Sequence, residues 1–266
     1  FEGRKMVLAA RKYGRIMYSS TVTRSMAGFR EAARFALEGN LGKPLYIHAV
    51  RYGARTSIGK VAGPVAPPTT LDYNLWCGPA PLKPLRRQNL HYDWHWDWDT
   101  GNGELGNWGI HLLDGAREIA GKTMPKSVLS VGGRFGYSDD GETPNTQIVF
   151  FDYEPLPIIY EMRALPRDRS LWKDGGWEQR DMDALYGQAY TTSVQCEGGY
   201  TVNNKAFDKD GRLVKAFTPQ QKPPREAFFD AVRGGEPMPY YDIAEAHVST
   251  GLVHLGNISH RLGKEV

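Results

Sequence analysis

The densest concentration of chemically capable side chains lies between His91 and Asp114. The run His91-Tyr92-Asp93-Trp94-His95-Trp96-Asp97-Trp98-Asp99 interleaves aromatic rings with acids and imidazoles. Strand-like alternation would place the rings on one face and the polar groups on the other. Flat rings suit the apolar C–H faces of a sugar. Acids and imidazoles can bond its hydroxyls. Tyr92, Trp94 and His95 are therefore candidate substrate contacts. The same residues also fit a half-buried segment whose Trp rings fill the core, and the pattern alone does not choose between the two.

Asn107, His111 and Asp114 follow at spacing i, i+4, i+7, which on a helix defines one face. A His there can move a proton near neutral pH, so His111 and Asn107 are the catalytic candidates. Asp114 is a substrate contact or a brace for His111. The competing reading is a helix N-terminus that Asn107 caps, with His111 merely hydrogen-bonded. Gly101-x-Gly103-x-x-Gly106 matches the dinucleotide fingerprint letter for letter. That fingerprint needs a buried apolar strand before it and an acid-ending strand after it. The acidic, Trp-rich run before Gly101 does not supply the first, so a flexible turn is expected instead. His91, Asp93, His95 and His111 are metal-ligand types. The segment does not read as helix, however, and the spacing alone does not bring two imidazoles to one ion. No metal is expected.

The elements that must hold these residues follow from periodicity. Glu2 to Tyr13 reads as an amphipathic helix with Gly14 as its C′ cap, followed by a short strand from Arg15 to Ser20. Ser25 is placed to cap a second helix from Met26 to Glu38. Pro44 to Tyr52 alternates as a strand. Residues 53–90, rich in Gly, Pro and Thr, read as a long functional or covering loop. Arg86-Arg87 within it reads as solvated. Glu104 to Ile119 is a helix. Six strands are expected at Ser127–Phe135, Thr146–Tyr153, Ile158–Ala164, Thr191–Glu197, Tyr200–Val202 and Leu213–Phe217, and helices at Pro224–Val232 and Asp242–Leu262. Consecutive strands without intervening helices argue for antiparallel pairing. The expected fold class is α+β: a large, open, mainly antiparallel sheet with helices on one face, preceded by a remnant of a Rossmann α/β layer.

The 266 residues carry a net charge of +3, too small for a nucleic-acid footprint without clustering. No run approaches 18 apolar residues, so no transmembrane helix is expected. The two cysteines, Cys77 and Cys196, read as ordinary thiols rather than a metal or disulfide framework.

Several segments together resemble the Gfo/Idh/MocA oxidoreductases. Glu2–Tyr13 looks like the last Rossmann helix of that family. Phe29-Arg30-Glu31-Ala32 with Gly39-Asn40-Leu41-Gly42-Lys43-Pro44 is similar to the helix and turn that open its second domain. Leu75-Trp76-Cys77-Gly78-Pro79-Ala80-Pro81 resembles its LWLGPAP segment. Asn107-Trp108-Gly109-Ile110-His111 resembles its DxGxH motif with Asn in place of Asp, and Leu255–Gly263 its closing helix. The resemblance implies that residues 1–24 end a Rossmann-type domain whose remainder is missing, and that 25–266 form the substrate and catalytic domain. It implies an NAD- or NADP-dependent reaction at a hydroxyl of a sugar, cyclitol or glycoside, and a homo-oligomer formed through the open sheet. His111 would move the proton of the reacting hydroxyl. Asn107, which cannot act as a base, would orient. Arg24 would lie near nicotinamide and substrate. Alternatives are a cofactor-free sugar-binding module, or redox-neutral glycoside cleavage with an internally cycling NAD.

Overall fold

The computed structural model describes residues 1–121, 124–171, 182–220, 222–235 and 242–266. The chain opens with α1 (Glu2–Lys12), which buries Val7 and Ala10 and packs on the C-terminal helix. Gly14 takes the left-handed conformation expected of a C′ residue, φ 57°. The strand expected at Arg15–Ser20 is absent: the segment is irregular. A strand exists only where a neighbour completes its ladder, and among the described residues none runs beside it.

Ser25 does not cap the second helix. It ends a four-residue helical turn, α2 (Val22–Ser25), where its hydroxyl donates to Val22 O at 2.6 Å. The helix proper is α3 (Phe29–Leu37), capped by Gly28, with Phe29, Ala32, Ala33 and Ala36 buried. Strand β1 (Pro44–Tyr52) leads into the long loop, which carries one short helix, α4 (Tyr73–Cys77), capped by the Asp72 carboxylate. Helix α5 (Leu90–Asp93), a 3₁₀ turn (Trp94–Trp96), a π turn (Leu105–Gly109) and α6 (Ile110–Ile119) carry the candidate site. Seven strands follow: β2 (Val128–Gly133), β3 (Thr146–Phe151), β4 (Ile158–Arg163), β5 (Tyr190–Cys196), β6 (Gly199–Val202), β7 (Lys205–Asp208) and β8 (Leu213–Ala216). Helices α7 (Pro224–Val232) and α8 (Ile243–Leu262) complete the set.

The strands form one sheet in the order β2-β3-β4-β1-β5-β6-β7-β8. Every pairing is antiparallel except β1 with β4. Alternation sorts the side chains. Ile47, Ala49, Val149, Phe151, Ile158, Tyr160, Met162 and Val194 point to one buried face and form the core with Leu105, Leu112, Leu113 and Leu252 from the helices. Fully burying a large apolar side chain contributes about 1.5–3 kcal/mol, so this single layer of contacts supplies the main driving force. At Gly256 of α8 an added Cβ would lie 2.8 Å from Leu105 Cδ2, which is why the helix can lie close over the π turn. The opposite face exposes Leu129, Val131, Ile148 and Phe150. The predicted open sheet with helices on one face is the observed architecture. Cys77 and Cys196 are free thiols. No helix among the described residues is long and apolar enough to cross a membrane.

Candidate active site

The run 91–99 does not alternate as a strand. Asp93 N donates to Asn89 O at 3.0 Å, closing a helical turn, and the 3₁₀ turn follows directly. Tertiary contacts set this shape: the backbone N–H groups of Glu142 and Thr143 donate to Trp96 O at 2.8 and 3.3 Å. The rings therefore split between the two roles considered. Trp96 is 4% exposed and fills the interior. Trp94 stacks on His95 with centroids 3.7 Å apart and lines a cleft of about 710 Å³ shared with Trp76, Pro79, Pro81 and Thr100. His95 also meets the Tyr92 ring at 4.6 Å, and its Nδ1 lies 2.6 Å from Tyr92 O. Burial holds the His95 imidazole below its ordinary pKa. His91 and His95 do lie one helical turn apart, contrary to the expectation of a non-helical segment. Among the described residues, however, no group of three or more His, Cys, Asp or Glu side chains is arranged around a metal position.

Asn107, His111 and Asp114 do not form one converging triad. Asn107 lies in the π turn, where i→i+5 bonding widens the helix, and the three side chains find different partners. Asn107 Nδ2 faces Glu104 Oε2 at 3.2 Å and the Tyr92 hydroxyl at 3.5 Å. His111 Nδ1 accepts from Val22 N at 3.3 Å, and Trp108 presents an edge to its ring at 5.7 Å. Asp114 is 2% exposed and accepts from Thr21 Oγ1 at 2.6 Å and Ser249 Oγ at 2.5 Å. Arg24, 4% exposed, places its Nε 2.6 Å from the same carboxylate. Arg24 and Asp114, expected among the substrate contacts, instead face each other inside the protein and clamp the turn at residues 21–25 onto α6. Burial lowers the His111 pKa, and the nearby Asp114 charge partly opposes that shift. Because Nδ1 accepts the Val22 N–H, the neutral ring carries its proton on Nε2.

A second group escaped the sequence reading. Glu104 is 1% exposed and takes a two-pronged contact from Arg55, with Nε and Nη2 both at 2.9 Å. Arg51 Nε approaches the same carboxylate at 3.3 Å and its guanidinium lies 4.6 Å from the Trp108 ring centroid. Burial drives the Arg51 pKa down, opposed mainly by Glu104. The signal was present in the strand pattern: positions 47, 49 and 51 of β1 share the inward face, and the third is an arginine. A charge at an inward strand position demands a buried partner.

Residues 39–132 match the family model described as the C-terminal alpha/beta domain of an oxidoreductase family, Gfo/Idh/MocA. Comparison with curated proteins finds no match. Among solved structures the fold recurs in an oxidoreductase from Thermotoga maritima, at 15% identity and TM-score 0.58, over 99% of this chain and 66% of that one. It recurs in GenD2 of gentamicin A biosynthesis, solved with NAD, at 17% identity and 0.60, over 99% and 67%. WlbA from Bordetella pertussis, solved with NADH and UDP-GlcNAcA, matches at 14% identity and 0.62, over 99% and 66%. The chain thus spans about two thirds of the length of these proteins. Residues 39–132 therefore match the C-terminal alpha/beta domain of that oxidoreductase family, and the fold of the chain is the one these solved oxidoreductases share.

Proposed function

We propose that this chain is the substrate-binding and catalytic part of an NAD(P)-dependent oxidoreductase acting on a hydroxyl of a sugar-like molecule. Residues 1–24 then close a nucleotide-binding domain, and 25–266 form the substrate domain. The observation that carries the reading is the position of His111: half-buried on α6, its Nδ1 is held by the backbone of Val22, in the segment where the two parts join. A dinucleotide held by the nucleotide-binding domain would meet this chain at that junction, where its nicotinamide would supply or take a hydride. The turn Gly101–Gly106 is not a nucleotide cradle, because it follows a helical acidic segment rather than a buried strand.

In the resting arrangement the His111 Nε2–H is a donor toward the reacting oxygen. To accept the hydroxyl proton, His111 needs the tautomer with its proton on Nδ1, and that requires the Val22 contact to open. Proton transfer is thereby tied to the 21–25 turn. Glu104 draws the Asn107 amide nitrogen toward itself, which leaves the Asn107 oxygen to orient a substrate hydroxyl. Tyr92, His95 and Trp94 extend the same wall into the Trp76 cleft and suit a sugar ring. Arg24 and Asp114 brace. A homo-oligomer formed through the exposed sheet face completes the reading.

The test is the mass of the full-length protein under denaturing and native conditions, together with the release of any retained dinucleotide. A nucleotide-binding domain in the denatured mass and NAD(H) or NADP(H) in the supernatant support the proposal. A full-length chain that neither carries such a domain nor responds to NAD(P) would overturn it.

A further inference from the structure

The loop at residues 83–87, the segment 93–99 and the turn at 140–142 enclose a separate cavity of about 380 Å³. The size falls within the usual range for a small-molecule site. Five carboxylates and three basic side chains line it. Asp93 follows Tyr92 in α5, and a helical step of roughly 100° turns its side chain away from the Asn107 wall toward this cavity.

Arg87 is the anomaly. The sequence placed it in a solvated loop, yet it is 6% exposed. Its Nη1 meets Asp97 Oδ2 at 3.3 Å and its guanidinium lies 5.2 Å from the Trp76 ring, but Nε and Nη2 have no hydrogen-bond partner. These two nitrogens form the edge of the guanidinium that binds two oxygens side by side. A buried donor pair left unmade costs stability, so such an edge calls for a partner. The acceptors around it are partly used. Asp140 accepts from Val61 N at 2.9 Å and Glu142 from Trp98 N at 2.8 Å, while Asp97 Oδ1 takes Asp99 N.

The charge pattern selects the ligand. A cation would meet the carboxylates but leave the Arg87 edge unpaired beside a like charge. An anion would pair with Arg87 but face the surrounding carboxylates. Adjacent hydroxyls on a neutral carbon frame do both, accepting from Arg87 and donating to Asp93 and Asp97 without adding charge. We infer that the Arg87–Asp93–Asp97 cavity is a second binding site, for a neutral polyhydroxylated molecule that presents neighbouring hydroxyls to the Arg87 edge. The cavity adjoins the Trp76 cleft, sharing Asp99 with it, but neither His111 nor Asn107 lines it, and the inference does not depend on the role given to His111.

The experiment is calorimetric titration of the full-length protein with a neutral panel (D-glucose, D-galactose, D-mannose and D-xylose), with D-glucuronate as anionic probe and D-glucosamine as cationic probe. The proteins compared are the wild type, Arg87→Lys, Arg87→Ala, Asp93→Asn and His111→Ala. Arg87→Lys keeps the charge and removes the two-pronged edge, so it decides the matter if Arg87→Ala does not fold. The expected result is a neutral sugar that binds wild type and His111→Ala through this site alike, and at least tenfold more weakly to Arg87→Lys and Asp93→Asn. The inference is overturned if no neutral sugar binds, if only the charged probes bind, or if neutral-sugar binding survives Arg87→Lys and Asp93→Asn but is lost in His111→Ala.

Discussion

At the scale of single residues, one imidazole and one carboxylate set the expected pH behaviour. Burial lowers the His111 pKa, so its neutral form persists below the ordinary histidine value of about 6.5. The acid limb of kcat/KM for the full-length enzyme should therefore fall below that pH, and should vanish in His111→Ala. Asp93 behaves in the opposite sense. Burial pushes its carboxyl up to about 6, whereas in the unfolded chain it titrates near 3.9. An acid with a raised folded pKa stabilises the fold most where both states are protonated, and loses that contribution as pH rises through the folded value. Urea unfolding should show wild type losing stability relative to Asp93→Asn between about pH 4 and 6; parallel curves would contradict the assignment. His111 and Asn107 stood out as candidates because their residue types and spacing announce chemistry; the structure adds their partners, Val22 N for His111 and Glu104 for Asn107. The pairing of Arg24 with Asp114 was not legible, because a charged residue in sequence carries no sign of whether its partner is a substrate or another side chain 90 positions away.

At the scale of elements, the buried Arg51–Glu104–Arg55 group ties the end of β1 to the start of the π turn. Removing one member leaves uncompensated buried charge, which costs about 3–5 kcal/mol. Glu104→Gln should lower the unfolding free energy by that much, read as a fall in denaturant midpoint at unchanged slope, while an exposed control such as Glu265→Gln should not. Most strands could be read because one face of each alternates apolar and buried, as in β3 and β4. β7 escaped because four residues after a two-residue turn, Asn203-Asn204, give too little pattern to register. The segment 91–99 misled for the converse reason. Its alternation of Trp with His and Asp has period two, but hydrogen bonds to Asn89 and from the 142–143 turn fold it as helix. The expected helix 104–119 is continuous in chain terms, and its π turn is invisible to a 3.6-residue period.

At the scale of the whole molecule, the sheet leaves Leu129, Val131, Ile148 and Phe150 at 39–54% exposure on the face opposite the described helices. Apolar patches of this kind mark interfaces in soluble proteins. A Val131→Asp, Ile148→Glu double variant should shift the native mass of the full-length protein from oligomer to monomer, with its circular dichroism unchanged; an unchanged mass would remove the sheet face from the account. The sheet and its helices were legible from periodicity. The junction of residues 1–24 with α6 was not, because it rests on backbone contacts such as Val22 N to His111 Nδ1 that leave no mark in residue type. That junction is also where the central claim is most exposed. The decisive measurement is single-turnover reduction of NAD(P)⁺ by a panel of sugars and cyclitols in the full-length protein, wild type against His111→Ala. Removing a general acid–base group costs about 10²–10⁴-fold, so the account predicts reduction by wild type and a loss of that size in the variant. Equal rates in the two proteins, or no reduction of the nicotinamide by any of the panel, would contradict it.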